Sequence, residues 1–147
     1  MVYSTVIENT KLKPIIFYAD DDADDRQLLR RALTAINKEY TVIEAQDGAE
    51  AISLLQKLKS AGVFPSLIVM DINMPKIDGK QAFTQIRLDE SLSKIPIVIY
   101  STSKSELDQL FFKRKNTEYM TKPNDYSHIE KLAVRMLSYC SKVASSN

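Results

Sequence analysis

Short apolar runs alternate with amphipathic segments along the chain. Five runs rich in aliphatic and aromatic residues have the pattern of strands buried on both faces. These runs lie at 14–20, 40–45, 66–71, 95–101 and 118–121. The segments that follow them carry apolar residues at helical spacing. The five helical stripes are Leu28, Leu29, Ala32, Leu33 and Ile36; Ala51, Ile52, Leu54, Leu55 and Leu58; Ala82, Phe83 and Ile86; Leu107, Leu110 and Phe111; and Ile129, Leu132, Ala133, Met136 and Leu137.

Two helix starts carry a capping signature. Asp47-x-x-Glu50 and Ser103-x-x-Glu106 both fit the capping-box pattern, in which the first and fourth residues satisfy each other's backbone N–H groups. The second and fourth helices are therefore expected to begin at these motifs.

The fourth stripe makes a further prediction about two adjacent aromatic residues. Phe111 continues the spacing of Leu107 and Leu110, so it is expected to lie in the core. A helix cannot bury two adjacent residues on one narrow stripe. Phe112 is therefore expected to point away from the core, where an aromatic side chain would suit an interface.

Strands that alternate with helices favour a parallel α/β sheet, covered on both faces by right-handed crossovers. The last helix is expected to end near Val143, which leaves no room for a second domain. The predicted organisation is an N-terminal extension at 1–13, one domain at 14–143 and a polar tail at 144–147.

Composition and charge narrow the possible functions. The chain has 147 residues, of which 44% are apolar and 27% charged, and its formal net charge is +1. This balance gives no overall attraction to nucleic acid or to an anionic membrane. The N-terminus lacks a signal-peptide pattern, and no apolar run could span a bilayer. Cys140 is the single cysteine, so a disulfide framework is excluded and a cytoplasmic location is expected.

Reactive side chains follow four of the five predicted strands. In an open parallel sheet, functional groups gather outside the carboxyl ends of the strands. The residues delivered there are Asp20, Asp21 and Asp22 after the first strand, Asp71 and Asn73 after the third, Ser101, Thr102 and Ser103 at the fourth, and Lys122 after the fifth. Acids, hydroxyls and a lysine are thus expected to converge on one edge.

That combination suits phosphoryl transfer to a carboxylate. Clustered carboxylates repel one another, and Mg²⁺, which prefers oxygen ligands, commonly offsets such charge beside a phosphate. Aspartyl phosphates are established covalent intermediates, and their formation mainly requires charge neutralisation on the phosphoryl oxygens. Asp71 is therefore predicted to be a phosphoacceptor.

Four segments together resemble the successive motifs of bacterial two-component response-regulator receiver domains. These segments are "FYADDDADDRQLL", "VMDINMPKIDG", "IPIVIYSTS" and "YMTKP". The resemblance extends from about Pro14 to Val143 and is greatest to single-domain, chemotaxis-like receivers, notably those partnered with phytochrome-type histidine kinases. It implies a doubly wound, flavodoxin-like (βα)5 fold with strand order 2-1-3-4-5.

The resemblance also implies a role for each site residue. Asp71 accepts the phosphoryl group from a kinase phosphohistidine. Asp21 binds Mg²⁺ directly, Asp20 binds it through water, and Asp71 and the backbone carbonyl of Asn73 complete the protein's metal ligands. Ser101 is the switch hydroxyl, and Lys122 pairs with the phosphoryl group. Tyr119 matches the aromatic switch residue, although an ordinary half-buried strand residue is the alternative.

Partners follow from the same resemblance. A sensor histidine kinase is the expected donor, and a downstream protein or a histidine phosphotransfer protein is the expected recipient of the signal. Self-association through the face of the fourth helix, fifth strand and fifth helix is left open. The chain is expected to catalyse only its own phosphorylation and dephosphorylation.

Neighbouring charged residues have simpler interpretations. Asp24 and Asp25 are assigned to a solvated helix start, where negative charge is favourable. Asp22 stays open between the metal site and a helix cap. His128 is expected at the surface, and the basic stretch at 113–115 is either solvated or a partner contact.

Two other functions are compatible with parts of the pattern. An aspartate-based phosphohydrolase would use the same Mg²⁺ and acyl phosphate, but such enzymes usually carry a second acid where this chain has Asn73. A phosphorylation-independent adaptor would be expected to lose an acidic, hydroxyl or lysine position, and none is lost.

Overall fold

The computed structural model of the chain describes residues 13–141. Five parallel strands form one sheet in the order β2-β1-β3-β4-β5, which confirms the predicted doubly wound architecture. Their bounds are β1 Ile15–Ala19, β2 Thr41–Ala45, β3 Leu67–Met70, β4 Ile97–Ser101 and β5 Glu118–Thr121. Each strand lies within its predicted segment.

One helix follows each strand. The helices are α1 Ala23–Ile36, α2 Gly48–Ser60, α3 Gly79–Leu88, α4 Glu106–Lys113 and α5 Ile129–Leu137, with a 3₁₀ turn at Tyr126–His128 before α5. None of the helices within residues 13–141 has the length and apolar character needed to cross a membrane.

The end of α5 differs from the prediction. The helix ends at Leu137 and not near Val143, because the backbone N–H groups of Tyr139 and Cys140 turn to i−3 carbonyls. The next residue, Ser141, donates its N–H to Ser66, just before β3. The polar tail at 144–147 and the N-terminal extension, apart from Lys13, lie outside the described residues, so the domain bounds stay a prediction.

Alternating strand residues build a core on each face of the sheet. Ile15 and Phe17 of β1 point toward α2, α3 and α4, whereas Ile16 and Tyr18 point toward α1 and α5. All of these side chains are buried. Both faces of the central strands are therefore apolar, which is why these strands appear in the sequence as uninterrupted apolar runs.

Helix α4 is turned differently from the prediction. Phe112 is fully buried and its ring lies 5.3 Å from that of Phe83, whereas Leu107 is 75% exposed. Phe111 is half-buried at the edge of the same core. The placement of Phe112 at an interface was wrong, and so was the use of Leu107 and Leu110 as a core stripe.

The cause is a charged residue on the inner face of α4. Asp108 lies three and four positions before Phe111 and Phe112, and these three residues share the less exposed side of the helix. Asp108 pairs with Lys80 at 2.6 Å and accepts a hydrogen bond of 2.6 Å from Ser103. An ion pair thus occupies part of the inner face of α4, where the sequence pattern predicts a wholly apolar stripe.

The capping predictions had mixed outcomes. Asp47 caps α2 by accepting the N–H of Glu50, as expected, although the Glu50 side chain accepts from Gln46 and not from Asp47. The cap of α4 is Ser105 and not Ser103.

Candidate functional site

The predicted site residues meet at the carboxyl edge of the sheet. Asp20 and Asp71 directly follow the adjacent strands β1 and β3, and Lys122 directly follows β5. Ser101 is the last residue of β4 and lies opposite Thr121 in the sheet. Parallel strands in this order place these side chains along one edge, as the sequence pattern indicated.

Lys122 is the centre of this site. Its Nζ lies 2.7 Å from Asp20 Oδ2, 2.8 Å from Asp25 Oδ2 and 3.1 Å from Asp71 Oδ2. The ammonium group has three N–H donors, so three carboxylates use its full donor capacity. The Lys122 side chain is only 6% exposed, so these contacts are made largely out of water.

The charged form of Lys122 is favoured in this setting. Burial on its own would lower the pKa of Lys122, but the hydrogen bonds to Asp20 and Asp25 and the charge of Asp71 outweigh burial and raise it. Lys122 is therefore an ammonium group throughout the neutral range.

Asp20 is fully buried and tightly held. Burial raises the pKa of Asp20, and hydrogen bonds from Lys122, Tyr18 and the N–H of Asp22 oppose that rise. The Tyr18 hydroxyl donates to Asp20 Oδ2 at 2.7 Å. Burial, together with the charge of Asp20, raises the pKa of Tyr18, so this hydroxyl stays a neutral donor.

Asp71 is 5% exposed, and both of its carboxylate oxygens have partners. Oδ1 accepts the N–H of Ile72 at 2.7 Å, and Oδ2 accepts from Lys122. A Cβ at position 79 would lie 2.3 Å from the main-chain oxygen of Asp71, so only glycine permits this approach of α3. Gly79 thus fixes the backbone from which the Asp71 side chain projects.

Three carboxylates at this edge could share a cation. One oxygen from each of Asp20, Asp21 and Asp71 lies within 4.8 Å of the others. With Asp25, the site holds four carboxylates, and the single ammonium group of Lys122 contacts three of them, which leaves negative charge in excess. Such hard oxygen donors fit Mg²⁺ or a similar divalent ion. Asn73, the fourth predicted ligand, is exposed in the loop after Asp71.

The two predicted switch residues both bind Ser103. Ser101 is fully buried, and its Oγ accepts the N–H of Ser103 at 3.2 Å. The Tyr119 hydroxyl donates to the carbonyl of Ser103 at 2.7 Å. Burial raises the pKa of Tyr119, so its hydroxyl remains protonated. A movement of Ser101 away from Ser103 would therefore disturb the residue whose carbonyl holds Tyr119.

Ser103 is itself anchored from a third direction. Its Oγ donates to Asp108, which pairs with Lys80 in the first turn of α3. The hydrogen bond from Lys80 and that from Ser103 lower the pKa of Asp108, which keeps this carboxylate ionised. The segment 101–103 is thereby tied to α3, the helix that follows the Asp71 loop.

Asp25 belongs to the site, although the sequence pattern assigned it to a solvated helix start. That assignment was wrong because Lys122 reaches Asp25 from β5, a contact that local patterning cannot show. Asp25 lies in the first turn of α1, close to the end of β1, and this position is the one signal in the sequence that could have indicated its place in the site. Asp24 is exposed, as expected. Asp22 caps α1 by accepting the N–H of Asp25.

Comparisons with known proteins identify the family of the chain. Residues 16–134 match the family model described as "Response regulator receiver domain". The response regulator Rcp1 of Synechocystis is 28% identical over 138 residues, which cover 90% of this chain and 91% of Rcp1. The chain also matches the sensor histidine kinase CheAY of Helicobacter pylori with 29% identity, but it spans only 16% of that protein.

Solved structures show the same fold. The phosphorylated cyanobacterial phytochrome response regulator RcpA superposes with a TM-score of 0.78 and 29% identity, over 88% of this chain and 97% of RcpA. The Mn²⁺-bound form of Rcp1 gives a TM-score of 0.76 and 26% identity, over 85% of this chain and 92% of Rcp1. Together with the family match, these likenesses show that the chain belongs to the response regulator receiver domain family of two-component signal transduction.

Proposed function

We propose that this receiver is a phosphorylation-dependent signalling protein in which Asp71 accepts a phosphoryl group from a phosphohistidine of a sensor histidine kinase. The observation that carries the proposal is the contact of one buried ammonium group, Lys122, with both Asp71 and Asp20. RcpA, which shares the fold, is described as a phosphorylated phytochrome response regulator. A phytochrome-type kinase is therefore the proposed class of donor.

The chain's own residues account for the transfer step. A carboxylate oxygen of Asp71 attacks phosphorus, so that a P–O bond forms while the P–N bond of the phosphohistidine breaks. The electron pair of that bond leaves with the imidazole, which takes up a proton. Lys122 can then donate to a phosphoryl oxygen instead of to Asp71 Oδ2, and the Ser101 hydroxyl can donate to another.

Mg²⁺ is the proposed cofactor. Asp21 and Asp71 would bind it directly, Asp20 through water, and Asn73 through its backbone carbonyl. When bound, the cation supplies neutralising charge for the phosphoryl oxygens. The support is the acidic cluster of Asp20, Asp21 and Asp71, together with the Mn²⁺-bound form of the related Rcp1.

Cation binding predicts a rise in stability. A ligand at a hundredfold excess over its Kd adds about 2.7 kcal/mol to the free energy of unfolding if it binds the folded state alone. We expect Mg²⁺ to produce such a rise in the melting temperature of the native sequence, and Asp21→Ala to remove most of it. Asp24→Ala, a matched loss of an exposed carboxylate, should retain the full effect. An undiminished Mg²⁺ effect in Asp21→Ala would place the metal elsewhere.

We propose that phosphorylation is signalled to partners through Ser101 and Tyr119, the two residues that bind the backbone of Ser103. A phosphoryl group carries a charge of about −1.5 to −2 and attracts the Ser101 hydroxyl. Turning toward it, Ser101 leaves the N–H of Ser103, and Tyr119 can turn inward. This change alters the surface formed by α4, β5 and α5, where a downstream protein, a histidine phosphotransfer protein or a second copy of the chain would bind.

Phosphoramidate offers a test that does not require the kinase. With Mg²⁺, this donor is expected to add one base-labile phosphoryl group, detected by intact mass. Asp71→Asn should remain unmodified, and Ser101→Ala should still be modified. Equal, stable modification of Asp71→Asn would refute the proposed function. Hydrolysis of phosphate esters by the unmodified protein would instead favour a phosphohydrolase.

A further inference from the structure

We infer that Asp25 is a positioning residue for Lys122 and weakens the hold of the site on a phosphoryl group. Its carboxylate competes with the phosphoryl oxygens for the ammonium group. The inference rests on the proposed function of Asp71 and extends it, because Asp25 has no place in the transfer step described above.

Lys122 lies closer to the carboxylate of Asp25 than to that of Asp71. The Nζ of Lys122 lies 2.8 Å from Asp25 and 3.1 Å from Asp71. The side chain of Asp25 is 17% exposed, so this ion pair is largely shielded from solvent. Water weakens the attraction between the two charges less in a shielded ion pair than in a surface pair.

The number of donors on Lys122 creates the competition. All three N–H groups already have carboxylate partners, so each new acceptor must displace one. Asp20 is a poor candidate for release, because it is fully buried and also binds Tyr18 and the N–H of Asp22. Once one oxygen of Asp71 is bonded to phosphorus, a phosphoryl oxygen takes its place beside Lys122.

Of the two carboxylates that then remain on Lys122, Asp25 can be released at a lower cost than Asp20. It lies on α1 and not at a strand end, and among the three carboxylates on Lys122 its side chain is the most exposed. A second phosphoryl oxygen that binds Lys122 must therefore displace Asp25. While Asp25 remains ionised nearby, it also repels the incoming anion.

A neutral side chain at position 25 should remove both effects. Asp25→Asn keeps the shape and one acceptor oxygen but lacks the charge that competes for Lys122 and repels the phosphoryl group. We therefore expect a phosphoryl mimic to bind this variant about fivefold more tightly, the size expected for loss of one partly shielded ion pair. Asp25→Glu, which restores the charge, should return the affinity toward the native value.

Asp24 provides the matched control. It occupies the same first turn of α1, so Asp24→Asn changes the net charge and the charge near the helix N-terminus equally. Asp24 is exposed, however, and Lys122 contacts Asp25 instead. If Asp25 acted only through the helix terminus, the two variants would behave alike.

The test is a titration with beryllofluoride at saturating Mg²⁺, followed by the NMR signals of the backbone amides of Ser101 and Lys122. Melting curves for each variant establish that it is folded. A roughly fivefold lower Kd for Asp25→Asn, with Asp24→Asn within about twofold of the native protein, supports the inference. Equal Kd values for the two variants, or weaker binding by Asp25→Asn, overturn it. Failure of the native protein to bind beryllofluoride would instead count against the proposed function.

Discussion

Replacing Lys122 with alanine is expected to lower the free energy of unfolding by about 3–5 kcal/mol in buffer without Mg²⁺. The substitution leaves the carboxylates of Asp20, Asp25 and Asp71 close together without the ammonium group that all three contact. Asp20 and Asp71 are buried, so water can compensate for little of the lost attraction. Urea denaturation followed by circular dichroism measures the change.

Two further measurements connect this loss of stability to charge. Mg²⁺ should restore part of the stability of Lys122→Ala, because the cation offsets the same carboxylates. Lys131→Ala, which removes an exposed lysine from α5, should change the stability by less than about 0.5 kcal/mol. A loss for Lys122→Ala as small as that of the control would mean that the ammonium group does not balance the acidic cluster.

Replacing Phe112 with alanine is expected to cost about 3–5 kcal/mol, as typical for a fully buried aromatic residue. Its ring packs at 5.3 Å against Phe83 and at 4.9 Å against Phe111. Phe111→Ala should cost less, about 1–2 kcal/mol, since Phe111 is only half-buried at the edge of the core. A larger loss for Phe111→Ala than for Phe112→Ala would show that α4 is rotated in solution relative to this structure.

The strands and most of the site residues could be predicted from the same feature, which is the burial of the central strands on both faces. Strands covered on both faces must be apolar throughout, as in the run 67–70, so a charged residue directly after such a run stands out. Asp71 and Asp20 occupy this position in adjacent strands. The topology of a parallel sheet then brings their side chains to one edge.

Helix α4 could not be predicted in the same way. Apolar spacing favoured burial of Leu107 and Leu110, yet the helix turns Asp108 inward because Lys80 and Ser103 compensate its charge. Lys80 lies on α3 and Ser103 in the loop before α4, and no pattern within α4 indicates either partner. The resulting exposure of Leu107 is a property of tertiary pairing and not of local sequence.

Asp25 illustrates the same limit within the site. The helix dipole already explains an acidic residue in the first turn of a helix, so the sequence gives no reason to expect a second role for it. Its contact with Lys122 depends on how β5 and α1 are placed relative to each other. Local patterning thus identified the reactive groups at the strand ends but not the residue on α1 that shares their lysine.

The site of the phosphoryl group is the most direct test of the account. After reaction with phosphoramidate and Mg²⁺, borohydride reduces an aspartyl phosphate to homoserine, which peptide mass spectrometry can locate. We predict homoserine at position 71 and unmodified aspartate at positions 20, 21 and 25. Homoserine at any of those three positions, or a phosphoryl group on His128 with none at Asp71, would contradict the assignment of Asp71 as the phosphoacceptor.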